Sequence, residues 1–275
     1  MENRQLKIIA NEVRKDIIDG THAAKCGHPG GSLSSADILT YLYFEEMHVD
    51  PKNPVDPDRD RFVLSKGHAA PALYGAMAER GFFPKEELLT LRKVGTRLQG
   101  HPSMRHLPGV DMSTGSLGQG VSAACGMALA GKLLKKNYRA YSILGDGELE
   151  EGQVWEAAMF ASAKKLDNLI LVIDYNNLQI DGTLAEVNSP EPIDAKFEAF
   201  GFEVFCIDGH DFDQIRDAFA KAKEANGRPK AIIAKTVKGK GVSFMENVCG
   251  WHGKATNDAE YEVAKADLER LGATL

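Results

Sequence analysis

Five short apolar runs restrict the fold of this chain more than any other feature: Arg61 to Leu64, Ala140 to Leu144, Leu169 to Asp174, Glu203 to Ile207 and Ala231 to Thr236. Each is closed by glycine and polar residues, and each is followed by a stretch of helical character. Short β-rich runs alternating with helices predict right-handed βαβ crossovers and a parallel sheet with helices on both faces. The expectation for the 275 residues is a single α/β domain over 1–275. Ahead of the first run, Leu6, Ile9, Ala10, Val13 and Ile17 recur at helical spacing and predict an amphipathic helix over residues 4–25, with a second helix at about 35–47. Between them lies Cys26-Gly27-His28-Pro29-Gly30-Gly31-Ser32, whose glycines and proline predict a loop without regular structure that admits close backbone approach to a ligand. Asp211-x-x-Gln214 predicts a capping box ahead of a helix with Ile215 and Phe219 on one face. Trp155 and Phe160 read as core. Residues 95–116 and 238–257, rich in Gly, His, Ser and Lys, predict long functional loops.

Composition narrows the partners. With 33 Lys+Arg against 39 Asp+Glu, the net charge of −6 makes the chain a poor counterion for nucleic acid or anionic lipid, so neither is an expected partner. Any polyanion it binds must be small and locally held. No stretch reaches the roughly 18 apolar residues of a membrane helix. Cys26, Cys125, Cys206 and Cys249 are scattered without a CxxC pair, and residues 1–20 lack a signal-peptide apolar core, so the expected location is cytoplasmic with reduced thiols. Cys249 and His252 imitate half a zinc site, but the sequence offers no second half.

Ligands of open parallel sheets bind beyond the carboxyl ends of the strands. Four runs end in unusually polar segments: Ser65-Lys66-Gly67-His68, Gly145-Asp146-Gly147, Asp174-Tyr175-Asn176-Asn177, and Lys235 through Gly241. If the second and third runs are neighbours, about 4.8 Å apart, Asp146 and Asn176 can reach one ion. A carboxylate, an amide oxygen and a nearby carbonyl are hard oxygen donors suited to Mg²⁺ carrying a diphosphate. A bare Gly-Asp-Gly is as readily an ordinary turn; the spacing to Asn176-Asn177 favours the ion site. No G-x-x-x-x-G-K-[ST] occurs, and Gly115-Ser116-Leu117-Gly118-Gln119-Gly120 has the wrong glycine order for a dinucleotide fingerprint.

Gly-Asp-Gly followed about thirty residues later by Asn-Asn resembles the thiamine-diphosphate motif. The segments CGHPGGSLS, FVLSKGHAAPALYG, QGHPS, STGSLGQGVSAACGMALA, GDGELEEGQVWEA, DYNNLQIDG and WHGK, in that order over about residues 5–257, resemble the diphosphate-binding half of transketolase. The resemblance implies thiamine diphosphate and Mg²⁺ as cofactors. By it, Asp146 and Asn176 are the side-chain metal ligands and Leu178 the carbonyl ligand. His68 and Gly147 hold the diphosphate, Gly115 and Leu117 line the ring pocket, and His28, His101 and His252 face the sugar, His252 being also close to the cofactor. Lys238 resembles the diphosphate-side lysine, and Glu151 the acidic residue linking paired sites at the dimer interface. Family chains carry two further regions, one of which binds the aminopyrimidine and supplies an activating glutamate. This sequence has no second α/β set, so it resembles the N-terminal subunit of a split transketolase. The implied partner is a C-terminal subunit with the aminopyrimidine-binding and C-terminal domains, in a two-plus-two heterotetramer acting on sugar phosphates. Rival readings are a 1-deoxyxylulose-5-phosphate synthase-like or 2-oxo acid dehydrogenase-like subunit, or a non-catalytic cofactor-binding subunit. The two Gly-His-Pro segments and Trp-His-Gly favour the ketose reading.

Overall fold

The computed structural model describes residues 1–275. Its five strands, β1 (Arg61–Leu64), β2 (Ala140–Gly145), β3 (Leu169–Tyr175), β4 (Glu203–Asp208) and β5 (Lys230–Lys235), form one parallel sheet in the order β1-β2-β3-β5-β4. The alternation of side chains along a strand divides the core in two. On β3, Ile170 and Val172 point into one layer, against α1 (Asn3–Ala24) and its neighbours, while Leu169, Leu171 and Ile173 point into the other. All five are buried, so β3 reads in sequence as a continuous apolar run, as a strand covered on both faces must.

The first layer contains α1, α2 (Pro29–Ser34), α3 (Ala36–Tyr41) and α4 (Ala70–Arg80). The second contains α5 (Gln119–Leu133) and α6 (Gly152–Ala163). Two short helices follow, α7 (Leu184–Val187) and α8 (Ile193–Ala199), of which α8 joins the second layer through Ile193 and Phe197. The chain then returns to the first layer with α9 (Phe212–Ala222) and α10 (Asp258–Ala273). On α1, Leu6, Ala10, Val13 and Ile17 form the buried stripe, and the helix stops at Lys25, which takes a left-handed conformation (φ 53°). No helix is long and apolar enough to cross a membrane.

Several expectations need correction. The glycine-rich segment after residue 26 is not wholly irregular. Pro29 opens α2 at a position where its missing N–H costs nothing, and six residues turn helically before Ser35. The helix expected at about 35–47 is broken into α3 and a π-helical segment, Leu42–Glu46. Asp211 caps α9 by accepting from the Asp213 and Gln214 amides, but Gln214 turns its oxygen to the Asp208 N–H instead of the cap's own amide, so the reciprocal box is not closed. The closed boxes are at Thr183/Glu186 and Asn257/Glu260. Trp155 is half-buried against Phe197 and Phe200, whereas Phe160 lies 39% exposed on the outer side of α6. The long segments 95–116 and 238–257 are irregular apart from one 3-10 turn, Cys249–Trp251.

Candidate active site

The floor of the site follows from strand register. β2 and β3 are neighbours with Gly145 opposite Asp174, so Asp146 and Asn176 leave the sheet side by side. Asp146 Oδ1 accepts from the Gly147 N–H at 2.9 Å and Oδ2 from the Asn177 N–H at 2.6 Å. Asn177 is left-handed (φ 63°), a conformation asparagine tolerates better than most residues, and this turns its amide toward Asp146. The Asn176 amide is fixed in sense: its nitrogen donates to Asp174 Oδ2 at 3.2 Å and its oxygen accepts from the Leu178 N–H at 3.2 Å. The Leu178 carbonyl receives Lys238 Nζ at 2.9 Å.

Beneath this floor lies a buried ion pair. Lys66 donates to Asp174 and to the Gly31 carbonyl (2.8 Å), and Ser34 and Thr236 donate to the same carboxylate. Burial alone would raise the Asp174 carboxyl; the Lys66 ammonium and these hydrogen bonds outweigh it and hold it below the usual carboxylate value. Asp146 differs. Burial, followed by the charge of Asp174, pushes it up to about 6, despite its two backbone donors and Lys238. A buried carboxylate in that condition favours a nearby cation, and with the Asn176 and Leu178 oxygens it makes the all-oxygen donor set a hard divalent ion takes. These residues therefore fit Mg²⁺.

Above the floor is a cleft of about 340 Å³, lined among others by His28, Lys66, His68, Gly115, Leu117, Asp146, Gly147, Asn176, Leu178, Lys238 and His252. Three imidazoles crowd together: His28 to His68 at 5.3 Å between ring centroids, His68 to His252 at 5.0 Å and His28 to His252 at 5.5 Å. His101 stands further out, 6.5 Å from His28. Burial, reinforced by neighbouring positive charge, lowers all four; His252 falls to about 3. They are neutral imidazoles at pH 7, each offering one donor and one acceptor. His28 Nδ1 is buried without a partner, and His252 Nδ1 lies 3.0 Å from Lys238 Nζ. Burial also pulls Lys238 down to about 8.

The histidine loops interlock through glycine. A Cβ on Gly30 would lie 2.8 Å from the Trp251 carbonyl oxygen, and one on Gly239 (φ 78°) only 2.4 Å from that of Met245. The Gly239 N–H donates to the Gly30 carbonyl at 3.0 Å, sealing the α2 segment to the segment after β5.

Ten of the sequence-derived site residues line this cleft: His28, His68, Gly115, Leu117, Asp146, Gly147, Asn176, Leu178, Lys238 and His252. His101 does not line it directly; its ring packs on Gly115 at the lip. Glu151 is exposed at the N-cap of α6 and stands outside the cleft. Sequence reasoning missed the roles of Lys66, Asp174 and Glu148, although the first two sit in strand-end segments already singled out. Glu148 is buried and accepts from Ser65 Oγ and from the Gly118 (2.9 Å) and Gly145 (3.0 Å) amides, tying three segments together. Its burial had no sequence signal beyond its neighbour Gly147.

A buried oxygen donor set at parallel strand ends, roofed by imidazoles, is the arrangement of an α/β domain that binds a cofactor through a hard metal ion. Residues 5–272 match the family model described as "Transketolase, thiamine diphosphate binding domain", and the chain belongs to that family. It is 50% identical over 264 residues to the 6-deoxy-6-sulfo-D-fructose transketolase subunit SqwG of a Clostridium species, covering 96% of each. It is 42% identical over 272 residues to one of the named subunits of the apulose-4-phosphate transketolase of Phocaeicola vulgatus, covering 98% of this chain and 96% of that one. Against human transketolase it is 47% identical over 250 residues but spans only 40% of that protein. The crystal structure of Campylobacter jejuni transketolase superposes with a TM-score of 0.91 at 37% identity, covering 98% of this chain and 43% of that one. Two relatives that the chain matches over nearly their whole length are thus named as transketolase subunits, while it spans under half of the longer transketolases.

Proposed function

We propose that this subunit, with a partner chain, transfers a two-carbon ketol unit from a ketose phosphate to an aldose phosphate using thiamine diphosphate and Mg²⁺. The observation that carries the reading is the single cleft in which the Asp146, Asn176 and Leu178 oxygens lie under the neutral rings of His28, His68 and His252. Asp146, Asn176 and Leu178 would hold the metal, with the Leu178 carbonyl released by Lys238. His68, Gly147 and Lys238 would hold the diphosphate, and Gly115 and Leu117 the ring. When bound, thiamine diphosphate supplies a carbon nucleophile and an electron sink for carbon–carbon cleavage.

The chain's own work is positioning and proton handling. Imidazoles kept neutral by burial can accept a proton from one sugar hydroxyl while donating to another, which suits His28, His101 and His252 to recognising and deprotonating a polyol near neutral pH. Of the carboxylates lining the cleft, Asp146 and Glu148 are tied down by backbone amides and Asp181 is exposed. The water-poor carboxylate that activates the cofactor is therefore assigned to the partner subunit, in a two-plus-two assembly, with outward-facing Glu151 acting across an interface. The relatives named for a sulfosugar and for apulose 4-phosphate make the anion at the far end of the sugar the variable to test.

The test mixes this chain with its C-terminal partner, thiamine diphosphate and Mg²⁺, and assays ketol transfer from phosphorylated and sulfonated ketoses to an aldose phosphate. The expected result is turnover by the mixture and none by either chain alone. Full activity from this chain alone would overturn the two-chain reading, and no turnover by the mixture with any ketose donor would overturn the ketol-transfer reading.

A further inference from the structure

Lys238 owes its position to a segment that something must hold, and the bonds around it are unevenly shared. After β5, the Thr236 N–H reaches the Tyr175 carbonyl at 2.9 Å, the Gly239 N–H the Gly30 carbonyl at 3.0 Å, and the Lys238 carbonyl accepts from the Asn247 N–H at 2.9 Å. The Val237 amide, immediately before the lysine, is bound instead by a side chain: it donates to His210 Nε2 at 2.9 Å. That ring sits on the turn between β4 and α9, and its other nitrogen, Nδ1, lies 2.6 Å from Asp37 Oδ2 on α3. Asp37 is buried and also takes Arg14 of α1.

The bonding partners dictate the tautomer. Nε2 accepts from a backbone N–H and so carries no proton, and Nδ1 faces a carboxylate and so carries one. Burial would raise Asp37, but the Arg14 charge and the His210 contact outweigh it and keep it an anionic acceptor. Four elements thus meet at one ring: α1 and α3 through the carboxylate, the β4–α9 turn through its backbone, and the Lys238 segment through Nε2. The arrangement is that of a second-tier support, which fixes a group by fixing its backbone.

We infer that His210 is a positioning residue for the cofactor cleft: held in its Nδ1–H form by Asp37, it anchors the Val237 amide and thereby sets Lys238 between the Leu178 carbonyl and His252. This rests on the reading of the cleft as the diphosphate site. The imidazole does not touch the cleft; it acts only through the main chain of residues 237–238.

The two nitrogens can be separated by substitution. His210→Gln places an amide oxygen near the Nε2 position and keeps an acceptor for Val237, whereas His210→Asn mimics Nδ1, keeping the donor to Asp37 and losing the acceptor. The measurements are peptide-level hydrogen exchange across 236–241 in the full chain, and thiamine diphosphate titration with Mg²⁺ in the assembled enzyme. The expected result is faster exchange at 236–241 and roughly five- to tenfold weaker cofactor binding for His210→Asn, with His210→Gln close to wild type in both. The thermal midpoint should stay near wild type in both variants. Equal behaviour of the two variants, a greater loss in His210→Gln, or exchange that rises over the whole chain together would overturn the assignment, because each makes His210 a cap on the Asp37 charge or a general packing residue. If the wild-type assembly binds no thiamine diphosphate, the reading of the cleft fails; if it binds and His210→Asn binds and exchanges as wild type does, only this inference fails.

Discussion

At the floor of the cleft, Asp146 and Asn176 leave adjacent strands and their side-chain oxygens are bound to backbone amides, whereas at the rim His28, His101 and His252 ride on segments outside the sheet and His28 keeps a buried nitrogen with no partner. The floor is positioned by strand register, which cannot slip without turning every buried side chain of β3 to the wrong layer. The rim is positioned by loops closing on one another. On the proposed function, metal and diphosphate recognition, which needs fixed oxygen atoms, would fall to the rigid part, and sugar recognition to the part built from loops.

The sharpest way to break this contrast is to remove a floor oxygen. Asp146→Ala should weaken Mg²⁺-dependent thiamine diphosphate binding by about 100-fold or more in the assembled enzyme, because a buried charged partner is lost, while the circular dichroism spectrum stays that of a folded chain. Isothermal titration with and without Mg²⁺ checks it, and unchanged affinity would take Asp146 out of the metal site.

Rim substitutions should separate from floor substitutions kinetically. His28→Ala and His101→Ala are expected to lower kcat/KM for the donor ketose by roughly 10- to 100-fold with cofactor affinity within about twofold of wild type, while His68→Ala, deeper in the cleft, loses about tenfold in cofactor affinity itself. Equal losses of cofactor binding in all three would erase the distinction between floor and rim.

The smallest effect is read in stability. The folded Asp146 carboxyl is raised from 3.8 to about 6, so the native state binds its proton more tightly than the unfolded chain does. Ionised at neutral pH, the buried group counts against the fold, and that cost shrinks as pH falls through about 6. The neutral histidines act in the opposite sense, since unfolding lets them take up protons below their ordinary value. The clean quantity is therefore a difference: the stability advantage of metal-free Asp146→Asn over metal-free wild type should diminish between about pH 7.5 and 5 by on the order of 1 kcal/mol. Denaturant melts at the two pH values measure it; a difference independent of pH would mean that Asp146 carries no raised affinity for protons.

The floor was legible in the sequence because strands announce themselves twice, by β-rich apolar runs and by the polar residues that stop them, and because Gly145-Asp146-Gly147 and Asn176-Asn177 fall at those stops. All five strands fall where those runs stand, with ends shifted by a residue or so at β2 through β5. Less was legible where long-range packing overrides local preference. Pro29 and two glycines read as a loop, yet the segment coils into α2 because Pro29 suits a first turn and Gly30 lets the Trp251 backbone approach. The ion pair of Lys66 and Asp174 could not be read at all, since the partners are 108 residues apart and meet only after β1 and β3 join the same sheet. His210 escaped for the same reason: its meaning lies in Asp37 and Val237, which no local pattern connects to it.

The interlocked glycines carry a consequence for how such a cleft can change over evolutionary time. With Gly30 pressed against the Trp251 carbonyl and Gly239 against that of Met245, the wall is a mosaic in which each piece is the mould of the next. A side chain gained at either position would push its neighbour's backbone, and with it His28, Lys238 or His252, off station. A side chain at either position therefore shifts two segments rather than one, whereas side chains that project into the opening without bearing on a second segment are free of that coupling.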